Sequence, residues 1–274
     1  MQQMTVRKMG FEFDQNTPIT FINDDPGTSY VFVGTWMLLP YLEPYLMKSM
    51  RLALPMVNDP ELAKDLETFC AQEGQHYQQH ARANDVIRTM KPGFAKLKAI
   101  EDEIAAEYKG FLANKSLRFN LAYAEGFEGM TAASSRAQME SGFFDHMTGP
   151  LKDLMLWHIM EELEHRTVAF EVYEHVYGGY FYRLFVGLWA QWHFLSRGLR
   201  LARCMAAADP ESFALAANPK SRKARNARNL KLLVCAWPKI MSIYMPWYNP
   251  RKVKLPALFY QAQEQYSQLA LSTK

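Results

Sequence analysis

The chain has 274 residues, 49% of them hydrophobic and 22% charged, with a formal net charge of +3. That composition excludes a disordered or collagen-like chain, and so small a charge gives no argument for nucleic acid as a partner. Three cysteines (Cys70, Cys204 and Cys235) lie far apart without a CxxC pair, so they read as reduced thiols in a cytoplasmic protein.

Residues 1–30 read as irregular, with the turn-rich NDDPGTS before an apolar stretch. No secretory leader is expected there, because no long apolar core follows the basic residues. From Val31 the pattern becomes helical, and Pro40 and Pro44 bracket a break or a helix start. Asp59 then predicts an N-cap, with Pro60 at the first helical position of a run that meets no breaker until Met90. Further helices are predicted over Phe94 to Leu112, Asn120 to Ser141, Leu151 to Tyr177 and Phe181 to Ala208. Beyond them, the basic NPKSRKARNARNLK at 218–231 leads into a Trp-bearing apolar segment, Leu232 to Tyr248. Strand signals are almost absent. The expected fold is therefore all-α, a single domain over 1–274 with its core at about 31–210 and an aromatic-rich accessory segment at about 211–274. Tyr182 to Leu195 and Leu232 to Tyr248 are apolar, but Arg183, His193, Pro238 and Lys239 interrupt them, so neither is expected to span a membrane.

Two windows carry the chemistry. In EGQHYQQH, His76 follows Glu73 by three residues and His80 follows His76 by four; in HIMEELEH, His165 follows Glu162 by three and His158 precedes it by four. Those spacings place Glu73, His76 and His80 on one helix face, and His158, Glu162 and His165 on another. An E-x-x-H on each of two helices, with one Glu from each of two more, is how four-helix bundles hold a pair of metal ions. Two adjacent dications need several carboxylates to offset their repulsion, while imidazoles add neutral donors.

The arrangement demands two further carboxylates. Glu43 is the only acid between Gly34 and Val57 and stands among apolar residues; Glu125 and Glu128 share a face in AYAEGFEGMTAAS. Glu128 is the preferred ligand, with Glu125 beside it as a supporting or proton-handling group. His80 is the other candidate acid or base, and reads as a support more than as a ligand. Glu161 and Glu164 point off the ligand face and read as surface or supporting groups. The expected metal ligands are thus Glu43, Glu73, His76, Glu128, His158, Glu162 and His165. No cysteine enters the set, and this hard, oxygen-rich site suits two iron ions, with manganese or zinc as alternatives. The spacing is not that of a zinc protease, H-E-x-x-H, and no nucleotide-binding or serine-hydrolase motif is present.

Through LLPYLEPYL, DPELAKDLETFCAQEGQHYQQHARAND, AYAEGFEGMTA and LWHIMEELEHRTVAFEVYEHVYGGYFYR, the chain resembles the bacterial "predicted metal-dependent hydrolase" family, a ferritin-like helical group. That resemblance covers most of residues 30–185 and implies a ferritin-like bundle core. A more distant likeness is to the diiron arylamine N-oxygenases, which place a third histidine one turn before their second E-x-x-H. Position by position, it implies the same seven ligands, His158 among them.

The first functional expectation is a non-haem diiron oxygenase using O2 and an external electron donor on a small apolar substrate. Tyr123, Phe127, Trp157 and the methionines are expected to line its cavity. The alternatives are a dinuclear metal-dependent hydrolase of an ester, amide or phosphoester, and a non-catalytic metal-binding helical protein. A homodimer and a peripheral contact of the basic 218–231 region with the inner membrane surface complete the expected partners.

Overall fold

The structure, a computed structural model, describes residues 4–272; residues 1–3 and 273–274 of the expected domain lie outside the described residues. Eleven α-helices account for most of it, and no sheet forms among the described residues. Ile22 and Met147 pair in an isolated antiparallel bridge. Four helices make the core: α2 (Leu39–Ala53), α3 (Pro60–Met90), α5 (Leu117–Glu140) and α6 (Pro150–Glu164). Between them come α1 (Pro26–Trp36), before α2, and α4 (Leu97–Asn114), between α3 and α5. After the core follow α7 (Val168–Val176), α8 (Tyr180–Ala208), α9 (Pro210–Leu215), α10 (Pro219–Ile243) and α11 (Ala257–Ser272). This is the expected all-α, ferritin-like bundle with additional helices.

Local chemistry sets the helix ends. Asp59 caps α3 as expected, its Oδ1 accepting from the amides of Glu61 at 2.9 Å and Leu62 at 3.3 Å. Ser116 caps α5 through the Phe119 amide, and Asp25 starts α1 earlier than Val31 by accepting from the Thr28 amide. One expectation is corrected. The helix expected over Leu151 to Tyr177 is two helices, because the chain leaves helical geometry at His165, the C-cap of α6, and resumes at Val168. Of the two readings of Pro40 and Pro44, the helix start holds: Pro40 sits in the first turn of α2, and Pro44 lies inside it. The basic segment after residue 218 and the apolar one as far as Ile243 form one helix, α10, which carries Pro238 within it.

Close approach of α5 and α8 depends on glycine. A Cβ on Gly126 would overlap the backbone of Gly187, so only hydrogen lets these helices meet there. The irregular N-terminal segment is not surface decoration: Arg7, Met9 and Phe11 are buried against the bundle. The C-terminal segment is also tied to the core. Tyr266 of α11 donates to the Asp153 carbonyl at 3.0 Å, and Gln263 to Glu164 at 2.6 Å.

No described helix is long and apolar enough to cross a membrane. On α8, however, Phe181, Phe185, Leu188, Trp192, Leu195 and Leu199 form an exposed stripe at helical spacing. On α10, Leu230, Leu233, Val234 and Trp237 do the same.

Candidate metal centre

Each core helix delivers its share of one buried cluster: Glu43 from α2, Glu73, His76 and His80 from α3, Glu128 from α5, and His158 and Glu162 from α6, with His165 at the α6 cap. All eight residues are at most 5% exposed. The Nε2 of His165 lies 3.3 Å from Glu128, 3.3 Å from Glu162 and 3.5 Å from Glu73. On the other side, His76 Nδ1 lies 3.4 Å from Glu73, and His158 Nε2 lies 2.7 Å from Glu162. The rings of His76 and His158 stack at 4.2 Å.

Donor atoms within 4.8 Å of one another define the binding options: Glu73, Glu128 and His165 on one side, Glu43, Glu73 and His76 on the other. His76, His158 and Glu162 make a further group, as do Glu43, His80 and His158. Glu73 reaches both sides. So does Glu162, with Oε1 toward His158 and Oε2 toward His165. These are the positions two bridging carboxylates would take.

The residues fit a cation pair on a specific observation. Both carboxylate oxygens of Glu43, Glu73 and Glu128, and Nδ1 of His76, are buried without a hydrogen-bond partner among the described residues. Buried carboxylates left so are costly unless a cation or a proton answers them. Titration behaviour gives the same picture. Burial pushes the Glu43 and Glu128 carboxyls well above the usual range, and neighbouring carboxylates push further. Burial would also raise Glu162, but His165 and His158 outweigh it and hold it well below that range. Burial lowers His76 and His165, yet the adjacent carboxylates leave both well above an ordinary imidazole.

Hydrogen bonds around the cluster fix which nitrogen faces the carboxylates. Glu161 can only accept, so its 3.1 Å contact places a hydrogen on His76 Nε2 and leaves Nδ1 for a metal. Gln72 donates through Nε2 to Glu164 at 2.8 Å and to the Thr5 carbonyl at 3.1 Å. Its Oε1 therefore accepts from His165 Nδ1 at 3.3 Å, freeing Nε2 toward Glu73, Glu128 and Glu162. Such partners orient metal-binding histidines and raise their basicity. Arg7 anchors this layer, donating to Glu161 at 2.9 Å and to Glu164 at 2.8 and 3.0 Å.

The sequence-based assignments fare unevenly. The seven expected ligands converge on one cluster. His80 joins them, its Nε2 2.6 Å from His158 Nδ1 and its side chain on the wall of the adjoining cavity. Glu125 does not join them. Its Oε1 accepts from Arg183 of α8 at 2.8 Å, beside Gln191 and Tyr244, so the expected proton-handling role next to the metals is not supported. Burial lifts the Glu125 carboxyl to about 7, partly offset by Arg183. Glu161 and Glu164 are buried supports and not surface groups. Arg7 and Gln72 were not singled out from sequence, and only the unpaired acids Glu161 and Glu164 could have pointed to such partners.

A cavity of about 290 Å³ borders the cluster at His80 and His158. Its walls are otherwise mostly apolar, from α1, α5, α6, α8, Leu39 of α2 and Ile240 of α10. Phe127, Met130 and Met155 line it as expected. Tyr123 and Trp157 do not. Tyr123 is buried in a ring cluster with Tyr45 and Tyr108, and the Trp157 indole donates to Glu161 at 3.1 Å. Leu195 belongs both to the cavity wall and to the exposed α8 stripe.

Comparison with curated proteins and with solved structures gives no significant match. The model of the family described as "Predicted metal-dependent hydrolase" matches residues 5–254, which include every residue of the cluster. The chain belongs to the predicted metal-dependent hydrolase family.

Proposed function

We propose that this protein is an enzyme that uses two divalent metal ions to transform a small, largely apolar molecule held in the cavity beside them. The convergence of unpartnered buried carboxylate oxygens from three helices carries this reading. Glu43, His76 and His158 would hold one ion, Glu128 and His165 the other, and Glu73 and Glu162 both. When bound, two divalent cations supply Lewis acidity and acidify water, and a redox-active pair can in addition supply electrons to O2. The protein does the rest. Glu161 and Gln72 keep the supporting protons on His76 and His165, and the apolar walls exclude bulk water.

Hydrolysis of an ester, amide or phosphoester is the reaction that the family description supports. In it the cavity would orient the apolar part of the substrate with its scissile group toward His80 and His158. The oxygenase expectation has narrower support: a donor set of four carboxylates without thiolate suits iron. Loading the metal-free protein with Fe(II), Mn(II) or Zn(II) separates the two. Cleavage of p-nitrophenyl esters or of bis(p-nitrophenyl) phosphate with Mn(II) or Zn(II), lost in Glu162→Ala, is the hydrolase result. O2 uptake confined to the iron form, with no cleavage by any form, overturns hydrolysis in favour of oxidation.

The partner we propose for the α8 and α10 stripes is an anionic membrane surface. Exposed Trp192, Trp237 and Trp247, with exposed Lys220, Arg222, Lys223 and Lys231 on α10, are the side chains such a surface takes. Leu195 connects that face to the cavity, a route by which an apolar substrate would enter without crossing water.

A further inference from the structure

The cavity is apolar but not featureless. Its hydroxyl and amide groups divide into those already engaged and those without a partner. Thr35 donates to the Phe32 carbonyl at 2.8 Å, and Thr131 to the Phe127 carbonyl at 3.0 Å. Ser134 accepts from Gln138 Nε2 at 3.1 Å, which leaves the Gln138 carbonyl oxygen pointing away from that bond. Two atoms remain. Ser135 Oγ and Gln138 Oε1 are buried without a hydrogen-bond partner among the described residues, in residues only 1% and 4% exposed, and both residues line the cavity. Leaving such groups unanswered is unfavourable, so the site is built to be completed by something else.

Their chemistry narrows what completes it. Gln138 Oε1 only accepts, so the ligand must donate; Ser135 can donate or accept. A ketone, ether or ester oxygen cannot donate. Among the described residues the cavity wall offers an ammonium group no acid and a carboxylate no lysine or arginine, so either would be buried at high desolvation cost. A neutral hydroxyl meets both demands, giving its hydrogen to Gln138 and accepting from Ser135.

Position adds a length. Ser135 and Gln138 lie seven and ten residues beyond Glu128 on the same helix, roughly 10 and 15 Å along its axis. The polar pair thus lies about two to three helical turns beyond Glu128 along α5.

We propose that Ser135 and Gln138 are specificity-determining residues that bind a neutral hydroxyl at one end of an otherwise apolar substrate whose other end faces the metal centre. The orientation rests on the metal-centre reading above; the hydroxyl site does not.

The test is calorimetric and independent of turnover. The metal-loaded full-length protein is titrated with 4-phenylbutan-1-ol and with its methyl ether, which keeps the skeleton but cannot donate. The alcohol is expected to bind about tenfold more tightly to the unaltered protein. Gln138→Leu should abolish that preference while leaving ether affinity within about twofold, and Ser135→Ala should reduce it. Ser135→Ala also serves where Gln138→Leu lowers the helical content seen by circular dichroism. Equal affinities for the two probes, as when a trapped water alone satisfies both atoms, would overturn the proposal. So would an alcohol preference that survives Gln138→Leu, or failure of both probes to bind. Metal content counted on the same samples reports separately: absent metal with the alcohol preference intact removes the metal-centre reading and leaves the hydroxyl site standing.

Discussion

Arg7 is the residue on which the support layer of the metal cluster turns. Its guanidinium is 2% exposed and is shared between Glu161 and Glu164. Those acids in turn reach His76 directly and His165 through Gln72. Arg7→Met keeps the apolar stem but leaves two buried carboxylates without a cation. Breaking a buried pair in this way typically costs about 3–5 kcal/mol. For a chain of this size that corresponds to a Tm lower by roughly 10 °C. Loss of a partner behind a metal-binding histidine also weakens metal affinity by about 10–100-fold. Arg7→Lys restores the charge but not the fork that holds both acids at once, and should fall between the two. Scanning calorimetry and competitive metal titration against a chromogenic chelator read both quantities. If Arg7→Met matches the unaltered protein in Tm and in metal affinity, the support layer contributes nothing and the reasoning fails.

Two further outcomes follow from the same structure. Burial raises Glu125 to about 7, against an ordinary 4.5, so the folded state binds that proton more tightly than the unfolded chain does. Its contribution to stability is therefore most favourable below about 4.5, declines as pH rises toward 7, and is flat above. Glu125→Gln should then gain on the unaltered protein between pH 5 and pH 8 in urea denaturation, by roughly 2–3 kcal/mol at 1.36 kcal/mol per unit; a difference independent of pH would show that burial is not what holds that proton. The membrane proposal expects cosedimentation with vesicles containing phosphatidylserine, weakened by salt and lost in a Trp192→Ser, Trp237→Ser double variant. A dimer in sedimentation equilibrium, with no vesicle binding, would assign those stripes to a second copy of the chain instead.

How far the sequence could be read follows from the range of each interaction. The helices of the core were legible because their signals are local, as with Asp59 and Pro60 at the start of α3. The cluster was legible because its spacing is helical, so that Glu73 with His76, and His158 with Glu162 and His165, must share faces wherever the helices go. What failed was long-range. Glu125 sits one turn from Glu128, but it meets Arg183, 58 residues later, and no helical periodicity reports that pairing. Arg7 lies 154 residues before Glu161 in an irregular segment whose place against the bundle is set by tertiary packing. Tyr123 and Trp157 were plausible cavity linings by composition, but a helix has several buried faces, and theirs meet ring clusters and Glu161 instead. His165 kept its predicted neighbours even though α6 ends there, since a C-cap still continues the helical path for one residue.

The central claim is that this cluster holds two metal ions, and a count of metals tests it most directly. Protein purified without chelator and reconstituted with Fe(II), Mn(II) or Zn(II) is freed of excess ion and analysed by inductively coupled plasma mass spectrometry. The account predicts about two ions per chain, falling to one or none in Glu73→Ala and Glu162→Ala while circular dichroism stays helical. Folded protein that binds no metal, or variants that keep the full count, would contradict it.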